Sequence, residues 1–196
     1  MTRSGQRKSR AAPRALAELV AGFASAPPDL LVRDVTLDSH AATPGALFLA
    51  CCGRTHHGLE FASEAVARGA RAVLYEPGDG VRVPPQLTRS AYLGAVPELS
   101  AHAGVIADRF FGEPSRRLTV AGITGTNGKT TCAWLLAQAL QRCQRPAGYL
   151  GTLGVGVPPQ ITATRHTTPD AVTVQRLLAE LETAGAACVK IGRAHV

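Results

Sequence analysis

The stretch LTVAGITGTNGKTTCAWLLAQAL, residues 118–140, constrains the fold more than any other part of the chain. LTVAGIT (118–124) is rich in β-branched residues and predicts a strand, and residues 131–143 have the composition of a helix. Gly125 and Gly128 lie between the two segments and permit backbone angles that side chains would block. A strand that passes through such a turn into a helix presents a row of backbone N–H groups, so an anion-binding site is expected.

The glycine loop is tighter than the usual phosphate-binding signature G-x-x-x-x-G-K-[ST], which would need glycine where the chain has Ile123. Lys129 is placed to reach the outer phosphates, and the hydroxyl of Thr130 or Thr131 to hold Mg²⁺. Lysine is rare elsewhere, because the 21 basic residues include only Lys8, Lys129 and Lys190. Its presence in this loop favours a nucleoside triphosphate site over a plain glycine turn.

The rest of the chain alternates between short apolar strands and amphipathic helices. Strands are predicted at 30–37, 45–53, 71–76 and 147–154, and helices at 61–70, 96–112 and 170–184, with a proline-rich loop before the last helix. A strand, a helix and a strand in so few residues predict parallel α/β architecture. After the segment EPSRR, 113–117, the chain changes to the β-branched strand LTVAGIT, which runs into the glycine loop. This change predicts a domain boundary at EPSRR.

Charge and cysteine content narrow the function classes. The net charge of +7 suggests a nucleic-acid partner, but five of the positive charges lie in the N-terminal tail and no aromatic residues are interleaved with the others. A solvated tail is therefore favoured. The five cysteines form no zinc-binding spacing, which predicts reduced thiols in the cytoplasm. No apolar run is long enough to span a membrane, and the N-terminus does not have the pattern of a signal peptide.

The motif TGTNGKTT after a strand resembles the ATP loop of the Mur ligases and of the related folylpolyglutamate synthetases, which share its tight spacing. The upstream segment TLDSHAATPGALFLACCGRTHHGLEFASEAVARGARAV resembles the uridine-nucleotide domain of the UDP-N-acetylmuramoyl-tripeptide synthetases, a domain that folylpolyglutamate synthetases lack. The ligases that add the terminal dipeptide also have this domain, so it leaves both branches open. YLGTLG and HTTPDA resemble the tripeptide-forming branch.

The resemblance implies an α/β protein with a small uridine-nucleotide domain, followed by the truncated start of a P-loop ATPase-type central domain. The expected divisions are a basic tail with a short helix (1–29), the UDP-substrate domain (30–112), part of the ATP-binding domain (118–189) and a foreign tail (190–196).

The same resemblance implies the site residues. ATP would be bound by Gly125, Thr126, Asn127, Gly128, Lys129, Thr130 and Thr131, with Lys129 catalytic and Thr130 on Mg²⁺. The UDP-linked substrate would be bound by Leu37, Ser39, Arg54, Thr55, His56, His166, Thr167 and Thr168. The chain departs from the family at His40, usually Arg, and at His57, usually Asp. Other interpretations are that Ser39 caps a helix or turn, and that His56 and His57 are ordinary loop residues; two adjacent histidines do not make a metal-ligand set.

The implied function is an ATP-dependent, ADP-forming ligase of peptidoglycan precursor synthesis. It would add a third residue, expected to be meso-diaminopimelate with lysine as the alternative, to UDP-N-acetylmuramoyl-L-alanyl-D-glutamate through an acyl phosphate. The cofactors would be ATP and Mg²⁺, and the protein is expected to be a cytoplasmic monomer with no nucleic-acid or membrane partner. The 196 residues alone are expected to be inactive, because the family's Mg²⁺-binding Glu, carbamylated Lys and C-terminal domain lie beyond them. A stand-alone module that binds UDP-sugar or ATP is the alternative.

The end of the chain, KIGRAHV, departs from the family, which continues after Val189 with an apolar residue and MEVSSH. IGRAHV is similar to the translation of a common sequencing-library adapter. Residues 191–196, and with them Lys190, are therefore predicted not to be coding sequence of this gene, which the underlying nucleotides would test.

Overall fold

The computed structural model describes residues 12–163 and 169–192. The chain divides into two compact units, the first ending at Phe110 and the second beginning at Phe111. In the described residues, no helix is long and apolar enough to cross a membrane.

The first unit is built on a parallel sheet. Its elements are β1 (Arg14–Ala15), α1 (Leu16–Val20), β2 (Leu31–Val32), β3 (Asp34–Thr36), β4 (Ala46–Ala50), α2 (Ala62–Ala67), β5 (Ala72–Tyr75), α3 (Leu87–Ser90), β6 (Tyr92–Ala95) and α4 (Leu99–Phe110), with 3₁₀ turns at Ser39–Ala41 and Gly58–Phe61. The described strands β3, β4, β5 and β6 pair in that order, all parallel, and β1 pairs with β2 antiparallel. The parallel α/β prediction is confirmed.

The core of this unit follows from its apolar pattern. All five residues of β4, ALFLA, are buried, as expected for a central strand covered on both faces. Phe48 and Ala50 pack with Leu59 and with Ala62 of α2 on one side of the sheet. Residues 30–37, predicted to form one strand or two, form two strands separated at Arg33, and β6 was not predicted from the sequence.

The second unit contains α5 (Pro114–Arg117), β7 (Thr119–Ile123), α6 (Lys129–Arg142), β8 (Ala147–Gly151), β9 (Gly154–Val157), β10 (Gln160–Thr162), α7 (Ala171–Thr183) and β11 (Cys188–Gly192). Its described strands are ordered β10-β9-β8-β11-β7, with β11 parallel to both β7 and β8. Residues 190–192 continue β11, whereas residues 193–196 lie outside the described part.

The predicted proline-rich loop contains a β-hairpin instead, formed by β9 and β10. Pro158 and Pro159, joined by a cis peptide bond, occupy the bend, and the short flanking strands pair antiparallel. Glycine allows the close pairing, because a Cβ on Gly154 would lie 2.2 Å from the carbonyl oxygen of Thr162. Proline and glycine predict a loop from local preference. The backbone pairing of β9 with β10 overrides that preference, and it becomes apparent only once the fold is known.

Helices pack on both faces of the second sheet at β8 and β11, whereas β7 is largely exposed. Ala133 and Ala137 of α6 pack with Tyr149 of β8 in one cluster. Leu178 and Leu181 of α7 pack in another cluster with residues that include Val189 of β11. The glycine loop lies between the carboxyl end of β7 and the start of helix α6.

Candidate functional site

The glycine loop joins β7 to α6 in the way an anion site requires. Gly125 has a φ of +141° and Gly128, the N-cap of α6, a φ of +77°. The backbone N–H of Cys132 donates to the Gly128 carbonyl at 2.8 Å, so the N–H groups before it have no acceptor within the helix. A Cβ on Gly125 or Gly128 would meet nothing closer than 3.8 Å. The glycines are thus needed for their backbone angles, and the space at the loop is open.

Lys129 lies across this loop. Its Nζ donates to the carbonyl oxygen of Gly125 and, at 3.3 Å, to that of Thr126. Thr126 and Asn127 are exposed at the tip. An ammonium beside free helix N–H groups fits a polyphosphate, because both supply positive potential at one place.

Thr130, predicted to bind Mg²⁺, has a partner that the sequence did not reveal. Its hydroxyl lies 2.8 Å from the hydroxyl of Thr152, which follows β8. Thr131 is exposed. The signal that could have found Thr152 is its position directly after a parallel strand, since carboxyl ends of parallel strands lie at one edge of a sheet.

In the first unit, predicted substrate residues lie at the carboxyl edge of the sheet. Leu37 and Ser39 follow β3, and Arg54, Thr55 and His56 belong to the loop after β4. Such an edge is where ligands bind in open parallel sheets. His166, Thr167 and Thr168 lie outside the described residues.

Ser39 is tied to its own unit. Its side chain is buried, and its hydroxyl donates to Glu64 Oε2 at 3.0 Å. His40 Nδ1 lies 2.7 Å from the other oxygen of Glu64, so His40 supplies a basic partner at the position where the family usually has Arg. The cap of this 3₁₀ turn is Asp38, which accepts from the His40 N–H at 2.8 Å. The interpretation of Ser39 as the cap is therefore wrong.

The loop after β4 is closed by backbone hydrogen bonds. Gly53 N–H donates to the His56 carbonyl at 3.0 Å, and Gly58 N–H donates to the Cys51 carbonyl at 2.8 Å. Arg54 and Thr55 are consequently exposed at the tip of a tight turn. A guanidinium held at such a tip is suited to a phosphate ligand.

His56 and His57 have different roles in this loop. His56 Nδ1 lies 3.2 Å from Glu60 Oε2, and its ring meets Phe61 edge-on at 6.1 Å between centroids. His57 Nδ1 accepts from the Leu59 N–H at 3.1 Å, while the backbone N–H of His57 donates to Glu60 Oε1. This capping box makes His57 the N-cap of the 3₁₀ turn, a role that Asp also fills.

The His57 ring is fixed on its other side as well. Its Nε2 donates to the Glu76 carbonyl oxygen at 2.9 Å, which assigns the proton to Nε2 and leaves Nδ1 as the acceptor. Among residues 12–163 and 169–192, no group of three or more His, Cys, Asp or Glu side chains is arranged to hold a metal ion.

Glu76 joins three elements at this edge and was missed by the sequence reasoning. Its Oε2 accepts from the Ser100 hydroxyl at 2.6 Å and from the Cys52 N–H at 3.0 Å. Burial raises the pKa of Glu76, whereas the hydrogen bonds from Ser100 and Cys52 lower it. The hydrogen bonds outweigh burial, so the pKa of Glu76 is below its ordinary value. Hydrogen bonds from the His57 backbone and the His56 ring likewise lower the pKa of Glu60. Both carboxylates are therefore held ionised around the β4 loop.

Two family profiles match the chain, one in each unit. The profile described as "Mur ligase family, catalytic domain" matches residues 32–105, and the one described as "Mur ligase middle domain" matches residues 123–190. The chain belongs to the Mur ligase family. The glycine loop lies in the region matched by the middle-domain profile, and the carboxyl edge with Glu76 lies in the other matched region.

Proteins of known name are similar to this chain across both units. UDP-N-acetylmuramoyl-L-alanyl-D-glutamate--2,6-diaminopimelate ligase of Pseudomonas aeruginosa is 46% identical over 167 residues, covering 85% of this chain and 34% of that protein. A solved structure of a ligase with the same name matches with a TM-score of 0.75 at 27% identity, covering 93% of this chain and 36% of the other. The chain thus spans about a third of the length of the curated relatives it matches.

A more distant structure shows the same fold. The MurF ligase of Thermotoga maritima, solved in complex with ADP, matches this chain with a TM-score of 0.54 at 21% identity. The match covers 83% of this chain and 32% of that one.

Proposed function

We propose that this chain is part of an ATP-dependent ligase that adds 2,6-diaminopimelate to UDP-N-acetylmuramoyl-L-alanyl-D-glutamate. The observation that carries the proposal is the 46% identity to a ligase of that name, over an alignment that takes in 85% of the chain. Identity of this extent reaches both the glycine loop and the carboxyl edge of the first sheet. The residues at both places have side chains suited to phosphate-containing ligands.

The glycine loop is the proposed ATP site. The backbone N–H groups of residues 125–131 would hold the phosphates, Lys129 would contact the outer phosphates, and Thr130 would place its hydroxyl on Mg²⁺. Bound ATP supplies a phosphoryl group that activates a substrate carboxylate for attack by an amine. The loop is suited to this ligand, because its glycines leave open space and the Lys129 ammonium lies against the loop at the Gly125 carbonyl. Lys129 would then stabilise the negative charge that shifts during transfer.

The carboxyl edge of β3 to β6 is the proposed site for the UDP end of the substrate. Arg54 and Thr55 are exposed there, and Arg54 is suited to the pyrophosphate. Because the Ser39 hydroxyl already donates to Glu64, it would accept a hydrogen bond from the ligand. The remaining proposed contacts to this substrate are Leu37, His56, His166, Thr167 and Thr168.

The surroundings of the proposed enzyme follow from its substrates. A nucleotide-linked precursor and ATP are both available in the cytoplasm, so a cytoplasmic monomer acting without nucleic acid or membrane is proposed. The 196 residues alone are proposed to lack ligase activity, because the chain spans only about a third of its relatives.

A ligation assay tests the proposal. The full-length protein that contains this chain is incubated with the UDP-linked dipeptide, ATP, Mg²⁺ and either meso-diaminopimelate or L-lysine, and products are identified by mass. The expected result is a UDP-linked tripeptide that contains diaminopimelate, formed with one ADP per product. A product that contains lysine instead would overturn the amino-acid assignment, and no product with either amine would overturn the ligase itself.

A further inference from the structure

We propose that Thr152 is a positioning residue that turns the Thr130 hydroxyl toward the Mg²⁺ of a bound nucleotide. The inference rests on the proposed assignment of a magnesium nucleotide to the glycine loop. It adds a residue from outside the loop, on the turn between β8 and β9, to the machinery of that site.

The structure connects the two hydroxyls directly. Thr130 is the second residue of α6, and its Oγ1 lies 2.8 Å from Thr152 Oγ1. Either oxygen has the geometry of the donor. Thr152 is exposed and Thr130 half-buried, so the pair lies at the rim of the loop and not in the core.

The position of Thr152 is set by the turn between β8 and β9. Gly151 pairs with Gly154, which leaves Thr152 and Leu153 as a tight turn between β8 and β9. The Leu153 N–H reaches the hydroxyl of Tyr149 at 3.5 Å, and Tyr149 is fully buried. Because the turn is held at both ends, Thr152 presents its hydroxyl from a fixed place.

The chemistry of a metal-bound hydroxyl determines which of the two threonines donates the hydrogen bond. A threonine that ligates Mg²⁺ uses an oxygen lone pair, so its proton must point to another acceptor. Thr152 Oγ1 is such an acceptor at hydrogen-bond distance, and it would leave the Thr130 lone pairs free for the metal. Groups that orient a metal ligand in this way typically change metal affinity by about 10- to 100-fold when they are removed.

A purely structural role is the competing explanation, in which the hydrogen bond links the turn between β8 and β9 to the start of α6. That role would affect nucleotide binding equally with and without metal, because only the shape of the loop would change. A positioning role acts only on the metal-dependent part of the affinity. The ratio of the two affinities therefore distinguishes the explanations.

The test uses β,γ-methylene-ATP as the probe on the full-length protein, with calorimetric titrations in Mg²⁺ and in EDTA. Thr152→Val removes the acceptor at nearly constant shape, and Thr152→Ser restores a hydroxyl. The expected result for Thr152→Val is a loss of about 10-fold in affinity with Mg²⁺ and no change in EDTA. Thr152→Ser is expected to bind within about 2-fold of the wild type in both conditions, by the same reasoning.

Three outcomes would overturn the inference. Equal losses for Thr152→Val in Mg²⁺ and EDTA would assign Thr152 a structural role. Unchanged affinity in both conditions would remove any role in binding. A wild-type protein that binds no probe would contradict the proposed ATP site itself, and so separates failure of the function from failure of this inference. Thermal unfolding of each variant shows whether the turn is intact.

Discussion

At the residue scale, His57 shows how a departure from a family pattern can preserve a local structure. The family usually has Asp there, and the histidine ring provides the same acceptor for the Leu59 N–H through Nδ1. It also donates through Nε2 to the Glu76 carbonyl, a hydrogen bond that an aspartate could not make. The substitution therefore retains the N-cap and adds a connection to the strand end at Glu76.

Substitutions of His57 test this role. His57→Ala removes the cap and is expected to destabilise the 3₁₀ turn by about 1 kcal/mol, whereas His57→Asp keeps an acceptor and is expected to lose less. Hydrogen exchange of a peptide spanning residues 57–61 measures the turn directly. Equal exchange in the alanine variant and the wild type would show that the ring does not cap the turn.

Glu76 predicts an acid dependence of the first unit. Its folded-state pKa is lowered, so its stabilising contribution is present above its ordinary value of 4.5 and is lost as the pH falls through the folded-state pKa. Glu76→Gln is expected to lower the urea midpoint at pH 7 and to flatten its fall below about pH 4.5, because a neutral amide does not titrate.

The matched control for Glu76 is Asp79→Asn, an exposed acid in the turn that follows β5. It is expected to leave the pH profile of the urea midpoint unchanged. If Glu76→Gln retained the full acid sensitivity of the wild type, the hydrogen bonds from Ser100 and Cys52 would not be the cause of that sensitivity.

At the element scale, the hairpin of β9 and β10 depends on glycine. A Cβ on Gly154 would meet the Thr162 carbonyl oxygen at 2.2 Å, and the φ of Gly154 is +130°. Gly154→Ala is therefore expected to destabilise the second unit by about 1–3 kcal/mol, the usual cost of such backbone strain. Gly122→Ala on β7 is the control, since a Cβ there meets nothing within 4 Å.

The single tryptophan makes this measurement specific. Trp134 lies edge-on to Tyr149 in the second unit at 5.5 Å between ring centroids. Its fluorescence during urea unfolding reports this unit and not the first. A Gly154→Ala midpoint equal to that of Gly122→Ala would contradict the close approach between β9 and β10.

Some helices and strands could be predicted from the sequence, and others could not. Helix α7 was predicted because its apolar residues recur on one face, and β4 because its apolar run is continuous. The β9–β10 hairpin was missed, because proline and glycine indicate a loop unless a partner strand is known. Helix α6 begins at Lys129, two residues earlier than predicted, so the lysine itself is the first residue of the helix.

At the scale of the whole molecule, some residues of the candidate sites could be predicted from the sequence and others could not. The residues of the glycine loop were predictable, because the loop is contiguous in sequence and glycine, lysine and threonine each have a defined role in phosphate binding. Glu76 and Thr152 were not, because each meets its partner across more than 20 residues of chain. Such contacts depend on which strand ends share an edge, which a single sequence does not state.

The central claim is that the two units bind different ligands, ATP at the glycine loop and the UDP-linked substrate at the edge of the first sheet. Steady-state kinetics of Lys129→Ala and Arg54→Ala in the full-length ligase test it most directly. Lys129→Ala is expected to lower kcat by about 100-fold or more, because it removes roughly 3 kcal/mol of transition-state stabilisation. Arg54→Ala is expected to raise the KM for the UDP-linked substrate about 10-fold with little change in kcat, since it removes binding far from the reacting carboxylate. Near-normal kcat in Lys129→Ala, together with loss of turnover in Arg54→Ala at saturating substrate, would contradict the assignment.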